Sequence, residues 1–256
     1  MKIKSTSKIV AWVLTFALVL SLIPTMPLIV SADTDSIVWD SNAGNATTPV
    51  LVVEDGDVIT IEPGASGRLT VPENATVTIV GGTVRMPVDN NDNIIQFYIP
   101  ATSKVVWRAY YQSSSSSYSA VTVVDTGVFE VAEGLIQLTA GLSSTINANS
   151  GNVTVSGGSV IKTVRGYAIN TTSGNVTISD GIVQGFDLAI NTSANVIILG
   201  GWVSSATPGV ISTGGENSVV FANTQLSGST GTTAAVGATG ANMRESSGSM
   251  VGRLSW

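Results

Sequence analysis

The chain has no cysteine among its 256 residues, and no histidine. No disulfide framework can hold it, and neither a thiol nucleophile nor a cysteine-zinc site is available. Charged residues are only 11% of the total, and three of the 11 basic ones, Lys2, Lys4 and Lys8, sit at the very start. Setting those three aside leaves 8 basic residues against 17 acidic, a net charge of −9. Neutralising phosphates takes clustered Lys and Arg, so this balance disfavours nucleic acid and anionic polysaccharide as partners. Helical periodicity is missing beyond residue 30, while Gly, Ser, Thr, Asn and Val are abundant, which fits an all-β chain of one domain.

The start of the chain is of another kind. Behind the three lysines comes an apolar run at 9–23, then Pro24 and Pro27, with Val30, Ser31 and Ala32 before Asp33. A basic segment, an apolar segment and small residues at a cleavage position read as a secretory signal peptide at 1–32. The competing reading is an uncleaved anchor, because apolar character runs on to Val30 with only Thr15, Ser21 and Thr25 as polar breaks. The two prolines count against one straight spanning helix, since each lacks a donor and clashes with the preceding turn. Cleavage predicts a secreted chain starting at Asp33, with no membrane contact afterwards.

The most informative stretch is 144–221, where NVTVSGGSV at Asn152 returns as NVTISDGIV at Asn175, NVIILGGWV at Asn195 and a degraded NSVVF at Asn217. Val153, Val176, Val196 and Val219 are 23, 20 and 23 residues apart. Ile146, Ile169, Ile190 and Ile211 follow at 23, 21 and 21. A period near 20 residues, built of β-branched alternation and broken by Gly pairs and Asn, predicts a single-stranded parallel β-helix with coils of about 20–23 residues. Within one coil, Val153 and Val155 face inward and Thr154 and Ser156 outward. The Gly157-Gly158, Asp180-Gly181 and Gly200-Gly201 corners lead to a second strand opened by Val160, Val183 and Val203, and the Ile column lies on a third. Stacked coils align these residues into continuous columns, and Asn147, Asn170 and Asn191 form an amide ladder. An antiparallel sandwich of short strands is the alternative.

The remainder is read as follows. Residues 33–48 form a leader or N-terminal cap, and the solenoid spans 49–226. NATVTIVGGTV at Asn74 already carries the phrase, with Val77, Ile79 and Val84 inward. The stretch 86–127 reads as an irregular insertion, in which Lys104 to Tyr111 is one strand and the serine run at 113–117 a flexible tip. Asp89, Asn90, Asn91, Asp92 and Asn93 offer oxygen ligands, but the spacing and central Gly of a calcium loop are missing, so no metal and no cofactor is assigned. Residues 227–256 are a Gly/Ser/Thr-rich tail or a loose last coil.

Four aromatic residues are the ligand-binding candidates. Trp107 and Tyr111 share one strand face, Tyr110 takes the other, and Trp202 is outward, at the position of Ser159 and Ile182. Flat rings beside polar side chains hold sugars by apolar contact and hydrogen bonds. The competing reading is that one of those faces fills a widened coil. The outward positions also grow more apolar towards the C-terminus, which points to a covered face or partner site.

The repeats, with FEVAEG at Phe129, GYAINTTSGNVTISDGIV and KVVWRAYY, resemble the repetitive right-handed β-helical surface proteins of anaerobic Gram-positive bacteria. The resemblance covers roughly 50–221. It implies a right-handed coil and an extracellular, wall-associated protein, structural or adhesive, whose partners are cell-wall or other extracellular polysaccharide or another surface protein. No catalytic residues come with it. The alternative is a polysaccharide-active β-helix enzyme, a lyase or glycoside hydrolase, with Asp180 and Asp187, or Glu130 and Glu133, as its carboxylates. Fold analogy alone carries that alternative, and an ice-binding face would need a regular outward Thr array that Thr154, Thr177 and Ile197 do not sustain.

Overall fold

A computed structural model of the chain describes residues 36–39, 51–62, 65–85, 95–207, 209–213, 219–221, 225–227, 235–238 and 243–245. The proposed signal peptide and the turn at 89–93 lie outside them. Every regular element among these residues is a β-strand, and every pairing is parallel.

The strands stack into three ladders. The first runs through Ser36–Trp39, Val58–Ile61, Thr76–Val80, Lys104–Trp107, Val128–Val131, the leading halves of Asn152–Lys162 and Val176–Gly185, Val196–Ile198, Val219–Phe221 and Met243–Glu245. The second takes Thr83–Arg85, Tyr110–Ser113, Leu135–Leu138, the trailing halves of the same two long strands, Trp202–Ser205 and Gln225–Ser227. Leu51–Val52, Gly67–Thr70, Ile95–Tyr98, Val121–Val124, Ile146–Ala148, Tyr167–Thr171, Leu188–Thr192, Gly209–Thr213 and Ala235–Ala238 make the third. From residue 76 onward the chain visits the three in turn, coil after coil, so the protein is a parallel β-solenoid.

Strand alternation builds the core. Val153 pairs with Val176 and Val176 with Val196, all fully buried, while Thr154 and Thr177 between them stay half-exposed. The Ile column holds as well: Ile95, Val121, Ile146, Ile169, Ile190 and Ile211 are paired in series and buried. At the corners successive backbones come too close for side chains. A Cβ on Gly181, which has φ +91°, would lie 2.3 Å from the Gly158 carbonyl oxygen, and one on Gly201 (φ +80°) 2.6 Å from that of Gly181. Only glycine satisfies both the conformation and the space.

Three expectations need correction. The stretch 86–127 is no irregular insertion from residue 95 on, because Val105 pairs with both Val77 and Phe129, and Val121 with both Ile95 and Ile146. The Lys104 to Tyr111 strand is broken at Arg108-Ala109, where the chain turns from the first ladder to the second. Coils are also not confined to 20–23 residues: the return from Val77 to Val105 takes 28, and the next two, to Phe129 and Val153, take 24 each. The wider coils hold the larger side chains. Trp39, Phe97, Trp107, Tyr111 and Phe129 are all buried, with edge-on ring contacts from Phe97 to Trp39 and Trp107 at 5.9 and 6.3 Å. Past Val153 the inward positions are Val, Ile and Ala, and the coils shorten to 23 and then 20 residues.

The ends extend further than expected. Within the proposed leader, Ser36–Trp39 is a full rung of the first ladder, anchored by the buried Trp39 indole donating to the Ser66 carbonyl at 2.9 Å. In the C-terminal stretch, Ala235–Ala238 and Met243–Glu245 continue the third and first ladders, in keeping with a last coil.

Candidate functional site

The four aromatic candidates divide between core and surface. Trp107 is fully buried, donates its indole N–H to the Ala109 carbonyl at 2.8 Å and meets Phe129 and Tyr111 with ring centroids 6.1 and 6.0 Å away. Tyr111 is buried with its hydroxyl unpartnered, and desolvation pushes the phenol far above its ordinary range. Neither ring can stack on a ligand from outside, so both leave the candidate site and belong to the packing of the wide coils.

Tyr110 and Trp202 remain, with 50% and 44% of their surfaces exposed. Although 92 residues apart, they stand in one row. Tyr110 pairs with Leu135, Leu135 with Ser159, Ser159 with Ile182 and Ile182 with Trp202, all on the outward side of the second ladder. Four rung spacings separate the two rings, about 19 Å along the solenoid axis at the usual strand spacing. The neighbouring outward row consists of Gln112, Gln137, Ile161 and Gln184. Sequence reasoning placed Trp202, Ile182 and Ser159 together but treated Tyr110 as a separate surface, and it missed Leu135 and the three glutamines. Their signal is a short tripeptide, YYQ at Tyr110, LIQ at Leu135 and IVQ at Ile182, in which the first and third residues face out.

The three faces differ in how their polar groups are engaged. On the third ladder the expected Asn ladder is present: Asn170 Nδ2 donates to Asn147 Oδ1 at 2.8 Å and Asn191 Nδ2 to Asn170 Oδ1 at 2.7 Å. The same row continues to Arg68, whose Nε donates to Gln96 Oε1 at 3.1 Å. That face satisfies itself. On the first ladder, Glu130 is ion-paired with Lys104 and accepts from the Ser156 hydroxyl. Burial opposes its ionisation, but the Lys104 and Ser156 hydrogen bonds and the nearby Lys104 and Arg108 charges outweigh it and hold the carboxyl below its usual range. On the second ladder, by contrast, no hydrogen bond among the described residues engages the Gln137 or Gln184 amide, because Ile161 stands between them.

The carboxylates raised for catalysis are dispersed. Asp180 accepts from the Gly181 amide at the corner between the first two ladders, and Asp187 from the Gly166 amide beyond the far edge of the second. Glu133 is paired with Arg108 at a corner while Glu130 lies on the first face. Among the described residues no group of three or more metal-ligating side chains is gathered. Lys162 is the one cation on an inward position of the second ladder. Its Nζ donates to the carbonyls of Ala140 and Gly141, and desolvation lowers its pKa to about 8 against the opposing attraction of Asp187.

Fold and surface together define a parallel β-solenoid with one uncharged lateral face that carries an exposed ring at each end. The chain matches no family model, no curated protein and no solved structure.

Proposed function

We propose that this is a secreted or cell-surface structural and adhesive solenoid, associated with the cell wall, that binds neutral carbohydrate through the outward face of its second ladder and performs no catalysis. The observation supporting it is the placement of Tyr110 and Trp202, both about half exposed, in one row with no charged side chain between them. A ring offers apolar contact to a sugar face, and free glutamine amides offer both donors and acceptors to hydroxyls. A net charge of −9 gives acidic polymers little attraction.

Retention of the purified chain on insoluble β-1,4-glucan, mannan and xylan tests this reading, with circular dichroism to establish that the variants are folded. Tyr110→Ala and Trp202→Ala should each weaken binding to the retaining polymer by about 2 kcal/mol, a roughly thirtyfold loss. Undiminished retention of both folded variants sinks the proposal, and release of reducing sugar or unsaturated product by the wild type sinks its non-catalytic part. Export is checked by N-terminal sequencing of protein from the producing cell: a chain beginning at Asp33 is expected, whereas an intact Met1 in the membrane fraction would establish an anchor.

A further inference from the structure

Which way a ligand runs on this face follows from its register. Across the axis, the second ladder is narrow: Tyr110–Ser113 has four residues, of which only Tyr110 and Gln112 face out, about 7 Å apart. A polymer crossing in that direction meets one ring at most. Along the axis, the same row offers Tyr110, Leu135, Ser159, Ile182 and Trp202 on five consecutive rungs, flanked by the glutamine row. An extended β-1,4-linked hexose or pentose chain advances by nearly one rung spacing per sugar, so its hydroxyls can repeat in step with the amides at Gln112, Gln137 and Gln184. No charged side chain stands in either row between Tyr110 and Trp202, so nothing there selects a charged polymer.

Building on the carbohydrate-binding reading above, we propose that the ligand is a single linear, uncharged β-1,4-linked polysaccharide chain lying parallel to the solenoid axis, with Tyr110 and Trp202 stacking on sugars at the two ends of a span of about five residues.

Calorimetry of the full chain with glucose, mannose and xylose β-1,4-oligomers of increasing length tests it. In the series that binds, affinity should climb until an oligomer of about five residues covers both rings. Tyr110→Ala and Trp202→Ala should each cut affinity for the longest oligomer by about tenfold or more. The double variant Ile182→Trp with Trp202→Ala moves the second ring one rung closer, so the length threshold should fall by about one sugar. Polygalacturonate, the charged counterpart, should bind far more weakly than the neutral polymer. Equal affinity for dimer and hexamer, dependence on only one ring, or an unmoved threshold would overturn the axial register while leaving carbohydrate binding intact. Equal binding of polygalacturonate would overturn the neutral assignment. Wild type that retains none of the three insoluble polymers removes the carbohydrate reading itself, and this inference with it.

Discussion

Position on the strand decides what a single residue does here, and two isoleucine-to-threonine-sized neighbours make the contrast. Ile169 is fully buried between Ile146 and Ile190, whereas Thr154 looks outward between Glu130 and Thr177. Ile169→Asn puts an amide without partners into an apolar column and should cost about 3 kcal/mol or more. Thr154→Asn should stay within about 0.5 kcal/mol. Equal shifts of the urea midpoint in the two variants would refute the assigned facing. Two buried titratable groups give a pH signature of opposite sign. Lys162 has a folded pKa of about 8 against 10.5 ordinarily, so between these values the unfolded chain binds the proton and the folded one does not. Stability therefore rises with pH through that window. Tyr111 does the reverse: its phenol stays protonated in the fold above pH 10.0, where the unfolded chain ionises, so stability falls. Denaturation curves from pH 7.5 to 11 should lose the rise in Lys162→Met and the fall in Tyr111→Phe. Because the Tyr111 hydroxyl is buried without a partner, Tyr111→Phe should also gain about 1 kcal/mol at neutral pH.

At the scale of the element, the unit is a rung together with the rungs on either side. The Asn ladder shows it most directly, since Asn170 both donates to Asn147 and accepts from Asn191, while Asn147 takes part in one of those bonds. Losing two half-buried amide bonds should cost about twice as much as losing one, roughly 2 against 1 kcal/mol. Asn170→Ala should accordingly destabilise more than Asn147→Ala, and a double-mutant cycle between them should show coupling. Equal losses with no coupling would mean that solvent already satisfies these amides. A second, exposed series does similar work at the opening of the first ladder, where Asn152 Oδ1 accepts from the Asn175 backbone amide at 3.0 Å and Asn175 Oδ1 from that of Asn195 at 3.3 Å. Corner glycines complete the rung, since a Cβ at Gly181 would strike the coil before it.

The whole molecule is a one-dimensional stack, in which each coil is held by its immediate neighbours. Coils in the interior of the stack are covered on both sides, and opening one of them breaks two interfaces. Amides such as Val153 and Val176, which donate to the Asn175 and Asn195 carbonyls of the following coil, should therefore exchange with deuterium most slowly. Protection should decline towards Val58–Ile61 on one side and Val219–Phe221 on the other. Uniform exchange along the first ladder would show instead that the solenoid opens as a single cooperative unit.

The coil was legible in the sequence wherever its inward residues were small and β-branched. From Val153 to Val219 the period, the three strands per coil, the glycine corners and the Asn ladder all follow from local alternation, because identical coils stack identically. Between 95 and 124 the same architecture was hidden, for Phe97, Trp107 and Tyr111 replace the usual valines and the coil lengthens to hold them. A fixed spacing cannot be read across a change in perimeter. Facing along the strand was already written in the residues, so Tyr110 outward and Tyr111 inward could be anticipated. Their companions could not. Tyr110 and Trp202 share a face only because strand pairing through Leu135, Ser159 and Ile182 carries one row across coils of unequal length. That register is summed over every intervening turn, and only the tertiary structure performs the sum.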